Sequence, residues 1–180
     1  MRKYFMLLFG VIRFSKEYLL NWNNLTVNGF EYYFGKNVKV LLYNKGKCKI
    51  DKHNWFAENS IIESNAGKIS IGFNNFFNTN CKIISLNSIE IGNNNLIGPN
   101  VIIVDHDHKF DQKGILINQQ GFKTNKITLG SDIWIGANVV ITKGVSICDK
   151  VIVGANSTIT KNINQSGIYL GNPAKLYKRL

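Results

Sequence analysis

The sequence has few cysteines, only two prolines and no long apolar run. Cys48, Cys81 and Cys148 are an odd number without close spacing, which argues against a disulfide framework or a tetrahedral zinc site and favours a reducing cytoplasm. The apolar stretch at residues 5–12 is far shorter than the ~20 residues of a membrane-spanning helix, and no small-residue cleavage motif follows it. We therefore expect neither a transmembrane helix nor a signal peptide.

Acidic residues are also scarce, since 11 Asp and Glu face 22 Lys and Arg and leave a formal net charge of +11. Such a charge attracts nucleic acid, an acidic membrane surface or a phosphorylated small molecule. The basic residues are scattered and are not interleaved with aromatic ones, so we expect no nucleic acid partner. The N-terminal segment is either a helix packed on the body of the fold, which we favour, or a helix in weak peripheral contact with anionic lipid.

An aliphatic residue recurs every six positions in the last third of the chain, and a second apolar series stands four residues behind it. A period of six is a multiple of the strand period of two and does not match the 3.6 residues of an α-helical turn. Each repeat is therefore a short strand followed by a corner. The first series consists of Leu129, Ile135, Ile141, Ile147, Val153 and Ile159.

Residues that tolerate a left-handed backbone stand three positions after these aliphatic residues, with Lys150 as the exception. They are Asp132, Asn138, Gly144, Asn156 and Asn162. Glycine often follows the aliphatic residue, as at Gly136, where a side chain would crowd the neighbouring coil. Such short units bury their apolar side only by stacking, three repeats to a coil. The pattern reappears from Ile71, and a shift of two residues before Ile91 predicts a bulge or loop at residues 86–88.

The repeat fails over residues 105–126, which form a long polar segment. A loop of this length in a compact repeat domain is usually functional, although a tolerated insertion is the alternative. Residues 1–35 show no repeat and look weakly helical over 14–25. We therefore expect an all-β fold, with a partly helical N-terminal segment over 1–35 and a parallel β-helix over 36–180 that carries a protruding loop and a C-terminal tail.

Residues 69–180 resemble the hexapeptide-repeat acyltransferases, in the branch of maltose, galactoside and bacterial polysaccharide O-acetyltransferases. The most specific stretches are ITLGSDIWIGANVVITKGV at 127–145, VGANSTITK at 153–161 and GNPAKLYKR at 171–179. The resemblance implies a left-handed parallel β-helix, acetyl-CoA as acyl donor, and a homotrimer with active sites between subunits. It also implies a sugar acceptor, with bacterial surface polysaccharide as the favoured class and an antibiotic as the alternative.

Transfer of an acetyl group to a hydroxyl needs a base, because an alcohol is a poor nucleophile at neutral pH, and neutral histidine suits this task. His53 lies in a polar stretch before the repeats, and we interpret it as a surface residue. The resemblance places His108 at the family's base position, so we favour His108 over His106. If the backbone is extended, both histidines face one way, and the second one would contact the acceptor. Asp105 is a further candidate for acceptor contact.

The resemblance assigns the other contacts as well. Asn78 matches a position that contacts the acceptor sugar, and Phe76 replaces a frequent tyrosine, which indicates a different acceptor. The cofactor candidates are Trp134 at the groove wall, Ala137 and Ala155 beside pantetheine, Thr160 and Lys161 at the distal end, and Lys175 and Lys178 near the adenosine phosphates. The simpler alternatives are that Asn78 is a corner asparagine, that Trp134 is a packed aromatic residue, and that the lysines are solvated charges.

Two other classes of protein remain as alternatives. A carbonic anhydrase of this fold would need three histidines around zinc, and the spacing of the three available ones does not provide them, so we expect no metal. A scaffold protein without activity is also consistent with the repeats, because a fold alone does not establish function. Trimer formation without binding of acetyl-CoA would favour the scaffold.

Overall fold

The computed structural model describes residues 2–29 and 31–180, with side chains from residue 8 onward. Its one helix of more than three residues in this part of the chain is α1 (Arg2–Leu20). Within these ranges, no helix combines the length and the apolar character that crossing a bilayer requires.

Short strands follow α1 and wind into coils of three strands each. The first four coils contain β1 (Leu25–Asn28), β2 (Tyr33–Phe34), β3 (Lys39–Tyr43), β4 (Lys47–Asp51), β5 (Trp55–Phe56), β6 (Ile61–Asn65), β7 (Lys68–Ile71), β8 (Phe76–Phe77), β9 (Lys82–Ser85), β10 (Ser88–Ile91), β11 (Leu96–Ile97) and β12 (Ile102–Val104). An arm then leaves the coils, with β13 (His106–His108), a 3₁₀ turn (Ile117–Gln119) and β14 (Phe122–Thr124). The last coils and the tail contain β15 (Ile127–Leu129), β16 (Trp134–Ile135), β17 (Val140–Ile141), β18 (Ser146–Ile147), β19 (Val151–Val153), β20 (Thr158–Ile159), β21 (Gly167–Leu170) and β22 (Lys175–Arg179).

Equivalent strands of successive coils pair in parallel and form three sheets along the described part of the chain. Sheet A is β1-β4-β7-β10-β15-β18, sheet B is β2-β5-β8-β11-β16-β19-β21-β22, and sheet C is β3-β6-β9-β12-β17-β20. Within these three sheets of the described chain, only the β21–β22 pair at the end of sheet B is antiparallel. Each coil therefore passes from A to B to C, and the chain turns at an A–B, a B–C and a C–A corner.

The core lies inside this triangular solenoid and consists of inward aliphatic and aromatic residues, which belong to the coil strands or directly precede them. Ile97, Ile135 and Val153 stack in this way on sheet B, each almost fully buried. Burial of a side chain of this size contributes about 1.5 to 3 kcal/mol, so regular repetition of the inward residue stabilises the whole stack. The six-residue period of the sequence is the period of this core.

The corners confirm the expected backbone at most positions. Asp132, Asn138, Gly144 and Asn156 all have positive φ. Lys150 has a φ of 57° as well, so the fold imposes the left-handed corner on a residue that does not favour it. At Gly136 a Cβ atom would lie 2.6 Å from the backbone nitrogen of Ala155, which explains why that slot carries glycine.

Asn162 is the corner that differs, because it is absent from the positive-φ residues of the described chain. Its side-chain oxygen instead accepts a hydrogen bond of 2.9 Å from the backbone nitrogen of Ser146. The expected irregularity at residues 86–88 is present as a bend between β9 and β10.

The N-terminal part of the solenoid differs from the sequence expectation. The first coil begins at Leu25, whereas the β-helix was expected from residue 36, and the helix covers Arg2–Leu20 rather than residues 14–25. The early coils are longer than 18 residues, since Leu25 pairs with Cys48 and Cys48 pairs with Ile69. A sixfold pattern cannot be recognised where the coil length changes.

Candidate active site

The histidines lie at the base of the arm, directly after β12. In the antiparallel β13–β14 pair, His106 lies opposite Thr124 and His108 opposite Phe122. Both imidazole rings contact the Phe122 ring, with centroid distances of 5.3 Å for His106 and 4.5 Å for His108. The segment is extended and the two rings share one side, as the alternation of a strand requires.

Asp105 is completely buried between β12 and the arm. Its Oδ2 accepts hydrogen bonds from the Ser85 hydroxyl at 2.7 Å and the Asn87 backbone nitrogen at 2.9 Å, and its Oδ1 accepts one from the Leu86 nitrogen at 2.8 Å. The carboxylate therefore closes the irregular C–A corner of the preceding coil. In the single chain the Asp105 side chain is enclosed by these donors, and its expected contact with the acceptor stays a prediction.

The same carboxylate orients His106. Asp105 Oδ1 lies 3.2 Å from His106 Nδ1, and only 16% of the His106 side chain is exposed. Because an ionised carboxylate only accepts hydrogen bonds, Nδ1 of the neutral ring carries the proton and Nε2 keeps its lone pair. Asp105 thus acts through His106 as a positioning residue.

His108 is exposed at the rim of a cleft of about 310 Å³ beside the arm. Phe110 and charged side chains of both signs complete the lining. Asp107 on the opposite side of β13 forms an ion pair with Lys143, which fixes the arm to the coil that follows it. The cleft has room for a polar acceptor next to an accessible imidazole.

The arm is organised by its own polar contacts. Gln120 is buried, accepts a hydrogen bond of 2.9 Å from the Gln112 nitrogen and donates one of 2.8 Å to the Ile115 oxygen. At the base of the arm, the Asn125 backbone nitrogen donates a hydrogen bond of 2.9 Å to the Asp105 backbone carbonyl oxygen. The histidines therefore stand on a fixed strand pair and not on an irregular loop.

A second group of predicted site residues lies on sheet B and the B–C corner. Phe76, Leu96, Trp134 and Ile152 pair in consecutive register and form an outward apolar column. Trp134 is 55% exposed and lines a groove of about 510 Å³, together with Leu96, Ile152 and Lys150. The corner residues of this groove, Asn94, Asp132 and Lys150, belong to the A–B corner, and the lining does not include Ala137 or Ala155. The expected role of Trp134 beside a cofactor stays a prediction.

Asn78, Ala137 and Ala155 occupy the B–C corner next to this column. The Asn78 side-chain oxygen accepts a hydrogen bond of 2.8 Å from the Thr79 nitrogen, and its amide is half-buried. Ala137 and Ala155 are neighbours in consecutive coils, since the Asn156 nitrogen donates to the Ala137 oxygen at 2.9 Å. The expected pantetheine contacts therefore lie along one edge of the solenoid.

The remaining cofactor candidates lie in two other places. Thr160 and Lys161 follow β20 at the C–A corner, so they lie along the same edge as the histidines. Lys175 and Lys178 are exposed on β22, which folds back on β21 at the C-terminal end of sheet B.

One chain holds these residues as two separate half-sites. The arm half-site contains His106 and His108 and follows the carboxyl ends of the sheet C strands. The groove half-site contains Asn78 and Ala137 at the B–C corner, before the amino ends of those strands, and Trp134 on the outer face of sheet B next to them. β9 and β12 run parallel, so Asn78 before β9 and His106 after β12 lie at opposite edges of sheet C. The single chain does not bring the proposed base and the proposed acceptor contact together.

Several residues of the two half-sites escaped sequence analysis. Phe122 reaches the two histidine rings because β14 pairs with β13, and Lys143 contacts the same strand through its ion pair with Asp107. The arm has no sequence periodicity that would predict either contact. Lys150 was noted only as an exception among the corners, yet it lines the groove of Trp134.

Two of the three cysteines, Cys48 and Cys81, are unsuited to nucleophilic chemistry. Burial raises the pKa of the Cys48 thiol to about 12 and that of the Cys81 thiol to about 11, so both stay protonated at neutral pH. His53 lies on the surface, 2.5 Å from a Glu31 carboxylate oxygen and outside both half-sites. Among the described residues, no cluster of three His, Cys, Asp or Glu side chains is arranged to hold a metal ion.

Comparison with known proteins places the chain in a family. Residues 126–161 match the family model described as bacterial transferase hexapeptide (six repeats). A putative acetyltransferase of Saccharomyces cerevisiae is 32% identical over 146 residues, which cover 81% of this chain and 71% of the yeast protein. A putative lipopolysaccharide biosynthesis O-acetyl transferase of Escherichia coli K12 is 31% identical over 104 residues, 54% of this chain and 53% of that protein. The chain belongs to the hexapeptide-repeat acyltransferase family.

A solved structure of a galactoside acetyltransferase in complex with coenzyme A supports the fold. It superposes with a TM-score of 0.65 and 29% identity, covering 79% of this chain and 64% of the other. The solenoid is thus a left-handed parallel β-helix, as the sequence predicted. The chain spans between 50% and 62% of the length of three curated relatives that it matches.

Proposed function

We propose that the protein is an acetyl-CoA-dependent O-acetyltransferase that modifies a sugar hydroxyl. The observation that carries this proposal is the pair of histidines on a fixed strand, one of them oriented by a buried carboxylate, within a hexapeptide-repeat fold. A structural relative in complex with coenzyme A supports the acyl donor.

The proposed reaction is direct attack of the acceptor on the thioester. His108 removes the proton of the acceptor hydroxyl, and the oxygen attacks the acetyl carbonyl carbon to form a tetrahedral oxyanion. The oxyanion then collapses, the carbon–sulfur bond breaks, and the protonated histidine returns the proton to the leaving sulfur. His106 presents Nε2 on the same side of β13 and orients the acceptor. No acyl-enzyme is needed, since the Cys48 and Cys81 thiols are buried with raised pKa values and Cys148 lies outside the arm that carries the histidines.

We further propose a homotrimer whose active sites form between neighbouring subunits. The two half-sites lie at opposite edges of sheet C, so one chain cannot complete a site by itself. A cyclic trimer places the arm of one subunit against the groove of the next, and the exposed Leu96 and Trp134 become covered. Closed cyclic symmetry then gives three equal sites.

The acceptor class is a sugar of bacterial surface polysaccharide. The relatives named as a galactoside acetyltransferase and a lipopolysaccharide biosynthesis O-acetyl transferase support a carbohydrate. The half-buried Phe76 offers an apolar ring, which suits the face of a sugar and provides no hydroxyl for a polar contact. The three free cysteines are consistent with a cytoplasmic location.

A transfer assay tests this function. The purified protein is incubated with acetyl-CoA and a panel of pyranosides, with a hydroxyl-bearing antibiotic in parallel, and products are identified by mass spectrometry. We expect a sugar that gains one acetyl group in step with release of free CoA. Acetylation of the antibiotic alone would replace the sugar with the alternative acceptor. A trimer that neither binds nor consumes acetyl-CoA would identify a scaffold.

A further inference from the structure

The outward side of α1 is apolar and uncovered. Six aliphatic and aromatic side chains of the helix are between 47% and 71% exposed, and Trp22 just after it is 68% exposed. Leu8, Ile12 and Leu19 follow one line along the helix, since they are separated by one and by about two further turns. We call this set the outer apolar face; it consists of Leu8, Phe9, Val11, Ile12, Leu19, Leu20 and Trp22.

The inner side of α1 is fixed on the first coil. Phe14 stacks on Tyr32 at a centroid distance of 4.5 Å and packs edge-on to Phe34 at 5.2 Å. The buried Glu17 carboxylate accepts a hydrogen bond of 2.8 Å from the Val40 nitrogen. These contacts set the rotation of the helix, so the outer apolar face cannot turn towards the core.

The surroundings of this face are basic. The first 52 residues contain ten of the 22 Lys and Arg but only three of the 11 Asp and Glu. Lys16 on the helix and Lys36, Lys39 and Lys45 on the first coil are exposed, whereas Glu17 is buried and the exposed Glu31 carboxylate is paired with His53. The excess of exposed lysines in this part of the chain favours a partner surface that is apolar and negatively charged.

We propose that the outer apolar face docks α1 flat on an anionic phospholipid surface. The apolar side chains enter the boundary between acyl chains and headgroups, Trp22 lies at headgroup level, and the exposed lysines contact lipid phosphates. A second copy of the chain fits less well, because two basic ends would face each other. This inference is independent of the proposed acetyl transfer.

Vesicle binding tests the proposal. The protein is sedimented with vesicles of phosphatidylcholine mixed with phosphatidylglycerol, and with vesicles of phosphatidylcholine alone. We expect binding to the mixed vesicles, weaker binding as salt rises, and little binding to the neutral ones. The double substitution Ile12→Glu with Leu19→Glu should lower partitioning at least tenfold, because it places two carboxylates on the outer apolar face.

Tyr177→Glu is the matched control. Tyr177 is 72% exposed, as Leu19 is 71% exposed, but it lies on β22 at the other end of sheet B. Circular dichroism verifies that each variant is folded. Equal sedimentation of the double variant and the control would overturn the proposal. An assembly in light scattering that the double variant dissociates, without vesicle binding, would also overturn it and identify another copy of the chain as the occupant.

Discussion

Asp105 shows how one residue links the fold to the candidate site. A buried carboxylate is costly unless donors surround it, and here Ser85, Leu86 and Asn87 supply three besides the His106 ring. The residue therefore stabilises a corner where the coil is irregular, and the same contact sets the His106 tautomer. The burial of Asp105 could not be predicted from the sequence, because burial of a single charge leaves no periodic signal.

Asp105→Ala should lower the free energy of unfolding by about 2 to 4 kcal/mol, since it leaves several enclosed donors without a partner. Urea unfolding followed by circular dichroism measures the loss. The control is Asp111→Ala, which removes an exposed carboxylate of the arm and should leave stability nearly unchanged. If both variants unfolded at a similar urea concentration, the buried hydrogen bonds of Asp105 would contribute little to stability.

At the scale of elements, the late coils could be predicted because their inward aliphatic residue recurs every six positions. The phase shift before Ile91 and the start of the arm were also visible in that pattern, and the structure contains both features. The first two coils were not visible, because they are longer than 18 residues and their corners vary in length. The pairing of β13 with β14 could not be predicted, since a hairpin of this length has no repeat to align its strands.

The C-terminal hairpin carries the prediction that belongs to this scale. Lys175 and Lys178 are exposed on β22. The register of the β21–β22 pair shifts beside Tyr169 of β21, and such a shift changes the direction of the side chains on the paired strand. If these lysines contact the phosphates of acetyl-CoA, affinity should fall as salt rises, because exposed ion pairs are screened. Isothermal titration at several salt concentrations measures this effect.

Dephospho-CoA separates the two lysines. Substitution with alanine of the lysine that contacts the 3′-phosphate should weaken CoA binding more than dephospho-CoA binding. An exposed lysine elsewhere, Lys82→Ala, is the control and should change neither affinity. If each β22 variant lost the same affinity for CoA as for dephospho-CoA, neither lysine would contact the 3′-phosphate.

For the whole molecule, the proposed trimer would make activity a property of the assembly, because the two half-sites of one chain are separated. Asn78 lies at one edge of sheet C, next to Trp134 on sheet B, and the histidines lie at the other edge of sheet C. The apolar column on sheet B extends past the part that α1 covers, which leaves Leu96 and Trp134 for a neighbouring subunit. The sequence predicted both sets of residues through family resemblance, but only the register of the sheets shows that they are separated.

Subunit complementation tests this arrangement. His108→Ala and Asn78→Ala chains should each give trimers of low activity, while co-expressed mixed trimers recover part of it, because some interfaces join an intact arm to an intact groove. Light scattering should give three times the mass of the chain. Mixed assemblies no more active than their parents, or a monomer in solution, would contradict a shared site.

The most direct measurement of the central claim is steady-state turnover of the two histidine variants on the best acceptor. His108→Ala should lower kcat by roughly 10² to 10⁴ with acetyl-CoA affinity nearly intact, because the base acts on the acceptor proton and not on the cofactor. His106→Ala should act mainly by raising the acceptor KM. The opposite pattern would exchange the two roles, and a loss of only a few-fold in both variants would contradict histidine base catalysis in this protein.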